Sequence, residues 1–131
     1  MALTQDRNTP MQDAQCVVIP VAAGVRIFTG WLVVTNAEGY AVPGKIGTDL
    51  AYAGRAEESV DNRSGGNGGM QILVRRGKAF KWSNDGTVTQ AYQFKTVYVV
   101  DEETVSANDG GGTRSAAGLV VGIESDGVWV Q

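Results

Sequence analysis

A chain of 131 residues with 14 acidic and 11 basic side chains carries a net charge of −3 and no histidine. That size fits one domain with one core, or one domain with an arm. The charge excludes the overall basic footprint of a nucleic-acid binder, and the missing histidine removes the commonest general base, proton shuttle and metal ligand.

Taken in chain order, residues 1–13 are polar and hold Pro10, which reads as an extended arm. This segment has no apolar run of the kind that directs export. No stretch of the chain approaches the ~20 apolar residues of a membrane span. A soluble protein made in a cytoplasm is expected. Residues 15–22 form the first expected strand, and Pro20 argues for an edge position or a bulge. Residues 26–36 form a second strand region, interrupted at Gly30, and Tyr40, Ala41 and Val42 a short third. Residues 45–50 are ambiguous. Residues 50–59, L-A-Y-A-G-R-A-E-E-S, have helical propensity, yet Gly54 in mid-segment favours a strand with a close backbone approach. The glycine-rich stretch 61–69 reads as a mobile hairpin loop. Strands follow over 70–75 and 78–83, a single helical turn within 88–94, and a β-branched strand over 96–100. Residues 101–113 read as a loop around at most a short T-V-S strand. The expected fold is therefore all-β: a single β-sandwich (jelly-roll-like) or partly open barrel of short antiparallel strands, with the domain over 14–131 and the arm over 1–13.

The closing segment, L-V-V-G-I-E-S-D-G-V-W-V-Q, reads as a hairpin about Asp126-Gly127. A type I′ turn there needs positive φ at both central positions, which Asp tolerates and Gly permits. In that register Glu124 faces Trp129, and Leu119, Val121, Ile123, Val128 and Val130 share the core face. Trp129 then points away from the core, beside a carboxylate, where a large aromatic calls for a partner.

Candidate chemistry is sparse. The single cysteine, Cys16, excludes an internal disulfide and reads as a buried small hydrophobe. The loop Gly65-Gly66-Asn67-Gly68-Gly69 opens a strand and lacks a following Lys-Ser/Thr pair, so it does not read as a phosphate cradle. Asp101, Glu102 and Glu103, with Asp109 nearby, form the densest carboxylate group, which reads as a charged turn rather than a Ca²⁺ or glycosidase site. Asn62-Arg63-Ser64 matches the glycosylation sequon by chance. The run V-R-R-G-K-A-F-K-W mixes basic and aromatic residues like a single-strand nucleic-acid groove. In an acidic chain, docking of Arg75, Arg76 and Lys78 on an acidic protein surface is the better reading. No catalytic residue, cofactor or metal site is assigned, and an enzyme is a distant third reading.

Several stretches in order, A-L-T-Q-D-R-N-T-P, V-A-A-G-V-R-I-F-T-G, G-Y-A-V-P-G, G-R-A-E-E-S-V-D-N, V-R-R-G-K-A-F-K-W-S-N, V-Y-V-V-D-E-E-T-V and A-G-L-V-V-G-I-E-S-D-G-V-W-V, span nearly the whole chain. In these the chain resembles the head-decoration, or capsid cement, proteins of tailed bacteriophages. The resemblance implies a non-enzymatic β-sandwich on the outer surface of the virion head, made in the bacterial host cytoplasm. It implies the phage major capsid protein as partner, with self-association as a homodimer or homotrimer at symmetry axes, and neither nucleic acid nor membrane. Three regions are candidates for contact. The first is the arm: Ala2, Leu3, Thr4, Gln5, Asp6, Arg7, Asn8, Thr9 and Pro10. The second is an interface patch of Trp129 with Tyr98. The third is the polar edge of Arg75, Arg76 and Lys78. The alternative is a β-sandwich module for carbohydrate or a host surface, in which exposed Trp and Tyr stack on sugars.

Overall fold

The computed structural model describes residues 4–131, so Ala2 and Leu3 of the expected arm lie outside the described residues. Among the described residues, twelve short strands and one 3-10 turn make up the regular structure, and the all-β class holds. The first seven strands are β1 (Cys16–Pro20), β2 (Arg26–Ile27), β3 (Leu32–Thr35), β4 (Ala41–Pro43), β5 (Ala51–Ala56), β6 (Val60–Asp61) and β7 (Gln71–Arg75). The remaining five are β8 (Phe80–Asn84), β9 (Thr96–Val99), β10 (Thr104–Ser106), β11 (Ala116–Glu124) and β12 (Gly127–Val130), with the 3-10 turn at Gln90–Tyr92. Within the expected class the arrangement has two parts. One is a five-stranded sheet in the order β1-β7-β5-β3-β4. The other is a closed barrel in the order β10-β8-β12-β11-β9, in which β10 and β8 run parallel. β2 and β6 form a separate two-stranded ribbon.

The sheet curls. Beyond β1, Val21 bridges Ala41 in parallel, and the Ala22 N–H donates to the Ala41 carbonyl at 3.0 Å. The curl encloses one core of Val21, Ile27, Val33, Ala41, Ala53, Ala56, Val60, Ile72 and Val74. The other core fills the barrel with Phe80, Trp82, Val97, Val99, Val105, Val120, Val128 and Val130, and takes in Leu32, Val34 and Val42 from the sheet. Strand alternation explains this sharing: successive side chains point to opposite faces. In β3, Val33 enters the first core while Leu32 and Val34 enter the second, and all three are fully buried.

Local expectations fare unevenly. Pro20 does sit on an edge strand. Gly54 does mark a close approach: its φ is +140°, and a Cβ there would overlap the Arg75 carbonyl oxygen. The closing hairpin is shifted by one residue. Glu124 pairs with Gly127, Ile123 with Val128 and Gly122 with Trp129, so the loop is Ser125-Asp126. Gly127 is not at positive φ. It belongs to the strand because a Cβ there would lie 2.6 Å from Lys81 Cγ and 3.0 Å from the Trp82 carbonyl oxygen. An irregularity between Val120 and Gly122 then switches faces. Val120 is fully buried and Leu119 is 48% exposed, so Leu119 and Val121 are not core residues, whereas Val128 and Val130 are.

The glycine-rich loop is organised rather than loose. Asn62 is buried, and its Nδ2 donates to the carbonyls of Ala22 and Gly66, both at 2.9 Å. Gly65 leaves the room that the Asn62 side chain fills. The sequon match is thus a buried structural amide, closed to modification. Cys16 is half-exposed at the start of an edge strand, because β1 has one open side; it is not the buried hydrophobe expected.

Candidate functional site

The described part of the arm, residues 4–13, is exposed throughout, as are Ala14 and Gln15 at its root. Its side-chain hydrogen bonds are local, from Arg7 to Thr9 and from the Gln15 N–H to Asp13. The arm joins the body where β7 turns into β8. There the Arg76 N–H donates to the Gln15 carbonyl at 2.6 Å, and Gly77 turns the chain at φ +70°. The arm root and the basic run therefore share one corner of the molecule.

Beside that corner lies a cleft of about 280 Å³ lined by Tyr52, Gly54, Arg76, Lys78, Phe80 and Ala117, among others. Tyr52, Phe80 and Ala117 line it together with the cationic side chains of Arg76 and Lys78 and with Gln131. Phe80 is 7% exposed and carries the Arg55 guanidinium 4.8 Å above its ring. Burial pushes the Tyr52 phenol up from its usual value, and its oxygen accepts a hydrogen bond from the Trp82 indole N–H at 3.1 Å. Gly54 admits the backbone of β7 and so holds Arg76 close to Tyr52. Tyr52, Gly54 and Phe80 were not marked by sequence as site residues; the alternation of A-Y-A-G-R-A and F-K-W against the neighbouring basic run is the signal that joins them.

The three basic residues divide. Arg75 is half-buried, and its Nε lies 3.2 Å from Glu57 Oε1, which also receives Arg55 at 2.6 Å. The Arg55 guanidinium, helped by Arg75, holds the Glu57 carboxyl below the usual carboxylate range. Arg75 therefore braces β7 against the end of β5. Arg76 and Lys78 are exposed, and among the described residues neither has a carboxylate within ion-pair distance. They can attract a carboxylate from another molecule.

The expected aromatic patch is not assembled. Tyr98 pairs with Ala116 and Trp129 with Gly122, six residues apart on β11, or ~20 Å along the strand. Trp129 also has partners within the chain. Its indole N–H donates to Glu124 Oε1 at 3.0 Å, and Lys81 Nζ lies 5.7 Å from its ring. The more exposed aromatic is Phe94, at 70% and φ +62°, a conformation costly for a bulky residue. Sequence gave no sign of it, because the strain is imposed by tertiary bonds: Phe94 N–H to the Val120 carbonyl at 2.8 Å and Val120 N–H to the Lys95 carbonyl at 3.0 Å.

The acidic run serves the body. The Glu102 carbonyl accepts the Leu32 N–H at 2.8 Å, tying sheet to barrel, and the Glu103 carbonyl accepts the Ser83 N–H at 2.7 Å within the barrel. Among the described residues no group of three His, Cys, Asp or Glu is placed to hold a metal ion, and no helix is long and apolar enough to cross a membrane. Comparison of the chain with protein-family models, curated proteins and solved structures returned no match.

Proposed function

We propose that this chain is a structural decoration protein of a phage head, bound to the outer surface of the shell and bridging major capsid protein subunits. The observation that carries the reading is the corner where the arm meets the body. The described part of the arm, exposed along its length, emerges next to Arg76, Lys78 and the cleft they line. An extended segment gains main-chain hydrogen bonds on a neighbour's sheet edge, and the two cations steer that contact toward a carboxylate. Repetition over a symmetric shell multiplies modest contacts through avidity. The sequence resemblance points the same way. In this reading the protein works by contact area rather than catalysis. The carbohydrate-module reading asks for a continuous aromatic platform, and the ~20 Å between Tyr98 and Trp129 along β11 weighs against it.

Co-sedimentation with expanded, DNA-free heads tests the proposal. The full chain is expected to bind at a fixed ratio to capsid subunits. A variant lacking residues 1–13, and the Arg76→Glu/Lys78→Glu double variant, are expected to lose at least ~10-fold in affinity, with a loss also at high salt. No saturable binding by the full chain sinks the reading.

A further inference from the structure

Among the described residues the five-stranded sheet leaves β1 open along Cys16 to Val18, and the chemistry of that edge is self-complementary. Antiparallel strands alternate between residues that bond to the neighbour and residues whose backbone groups face away. On β1 the parity is fixed at both ends: the Gln15 carbonyl accepts from Arg76, and the Val21 N–H donates to the Met70 carbonyl. Residues 15, 17, 19 and 21 therefore bond to β7. Cys16, Val18 and Pro20 turn their backbone groups away from β7; Cys16 and Val18 each offer one N–H and one carbonyl, while Pro20 meets β4 at the parallel Val21–Ala41 bridge. Val18 is 59% exposed on this edge. Proteins usually blunt such edges with a lysine, a bulge or a covering loop. Within C-V-V-I-P there is no charge, and Pro20 only ends the row.

The chain holds no second edge to match it among the described residues. The barrel is closed, β2 and β6 are only two residues each, and β4, at the far side of the sheet, is three residues long and met in part by Val21 and Ala22. A head-to-tail contact needs two different complementary edges, whereas a two-fold contact needs one edge that complements itself. We propose that β1 pairs with β1 of a second copy, antiparallel across a two-fold axis, with Cys16 opposite the partner's Val18. In that register the outward N–H and carbonyl of both residues are satisfied on both copies. Centring the pairing on Val18 instead would set Cys16 opposite the partner's Pro20, which has no N–H to give.

This contact is separate from the capsid contact and is tested without heads. The two measurements are sedimentation equilibrium across a concentration series and amide hydrogen exchange resolved by residue. Val17 and Ile19 amides are protected by β7 in any case. The proposal expects a dimer mass and a Val18 amide that slows more than ~10-fold as the dimer forms. Val18→Pro removes an outward donor without breaking a bond to β7, and Val18→Lys adds a charge to the edge; both are expected to be monomers. If Val18→Pro fails to fold, Val18→Lys still decides. A monomeric wild-type chain overturns the proposal, whether Val18 exchanges freely or is covered by the chain's own arm. A dimer that survives both substitutions also overturns it, because the contact then lies elsewhere.

Discussion

Tyr52 joins the two halves of the molecule through a single hydrogen bond. It sits on β5 in the sheet, and its phenol oxygen receives the indole N–H of Trp82 from the barrel. Tyr52→Phe leaves that buried donor unmet, and is expected to cost about 1 kcal/mol at neutral pH in urea unfolding. Burial raises the phenol's pKa in the folded state, so the native protein binds this proton more tightly than the unfolded chain does. The associated stability is present below the unfolded value of about 10 and is lost as pH rises through the higher folded value. The gap between wild type and Tyr52→Phe should therefore narrow above about pH 10; a gap that is constant with pH refutes the assignment. Asn62 shows the reverse side of residue-level reading. Its sequence context is a modification motif, but its amide spans two segments distant in the chain, a role that no local pattern encodes.

The strands were legible where a local rule coincides with a tertiary need. β5 reads as helix by propensity, yet Gly54 in its middle marks the place where β7 crosses closely. Gly54→Ala combines φ +140° with an overlap on the Arg75 carbonyl oxygen, and is expected to destabilise by about 3 kcal/mol in chemical denaturation. Gly66→Ala, with open space around it and no positive φ, is the control and should stay within about 1 kcal/mol. Equal effects would show that Gly54 is conserving mobility rather than space. The closing hairpin failed for the complementary reason. Asp-Gly is the favoured turn pair, but Gly127 is required in β12 by its neighbour β8, so the loop moves back one residue. Moving the loop back by one residue shifts each cross-strand pair by two, so the faces beside the turn are kept and Ile123 still packs on the core side with Val128; the irregularity between Val120 and Gly122 alone switches faces, which is why Leu119 emerges where a core side chain was expected. The arm and the Arg76–Lys78 rim were legible as polar sequence. The cleft beside them was not, because its walls come from β5, β8 and β11, brought together only by the fold.

At the scale of the whole molecule, two cores share the strand β3, and neither can open without disturbing it. Val33 faces one core and Val34 the other. Val33→Ala and Val34→Ala each remove two buried methyl groups, and are each expected to cost about 2 kcal/mol. Because β3 is common to both, fluorescence and backbone circular dichroism should report one coincident unfolding transition in both variants. Separate transitions would mean that sheet and barrel fold as independent units. The placement of the arm has a mechanical consequence. It continues directly from an edge strand held along its length by β7. A pull on the arm along the strand axis loads the β1–β7 hydrogen bonds together, in shear, so they must fail at once. A pull across the sheet would peel them one by one. In the proposed role, an arm anchored tangentially on a shell would be strong in the direction in which the shell stretches and would be released by a force turned through a right angle.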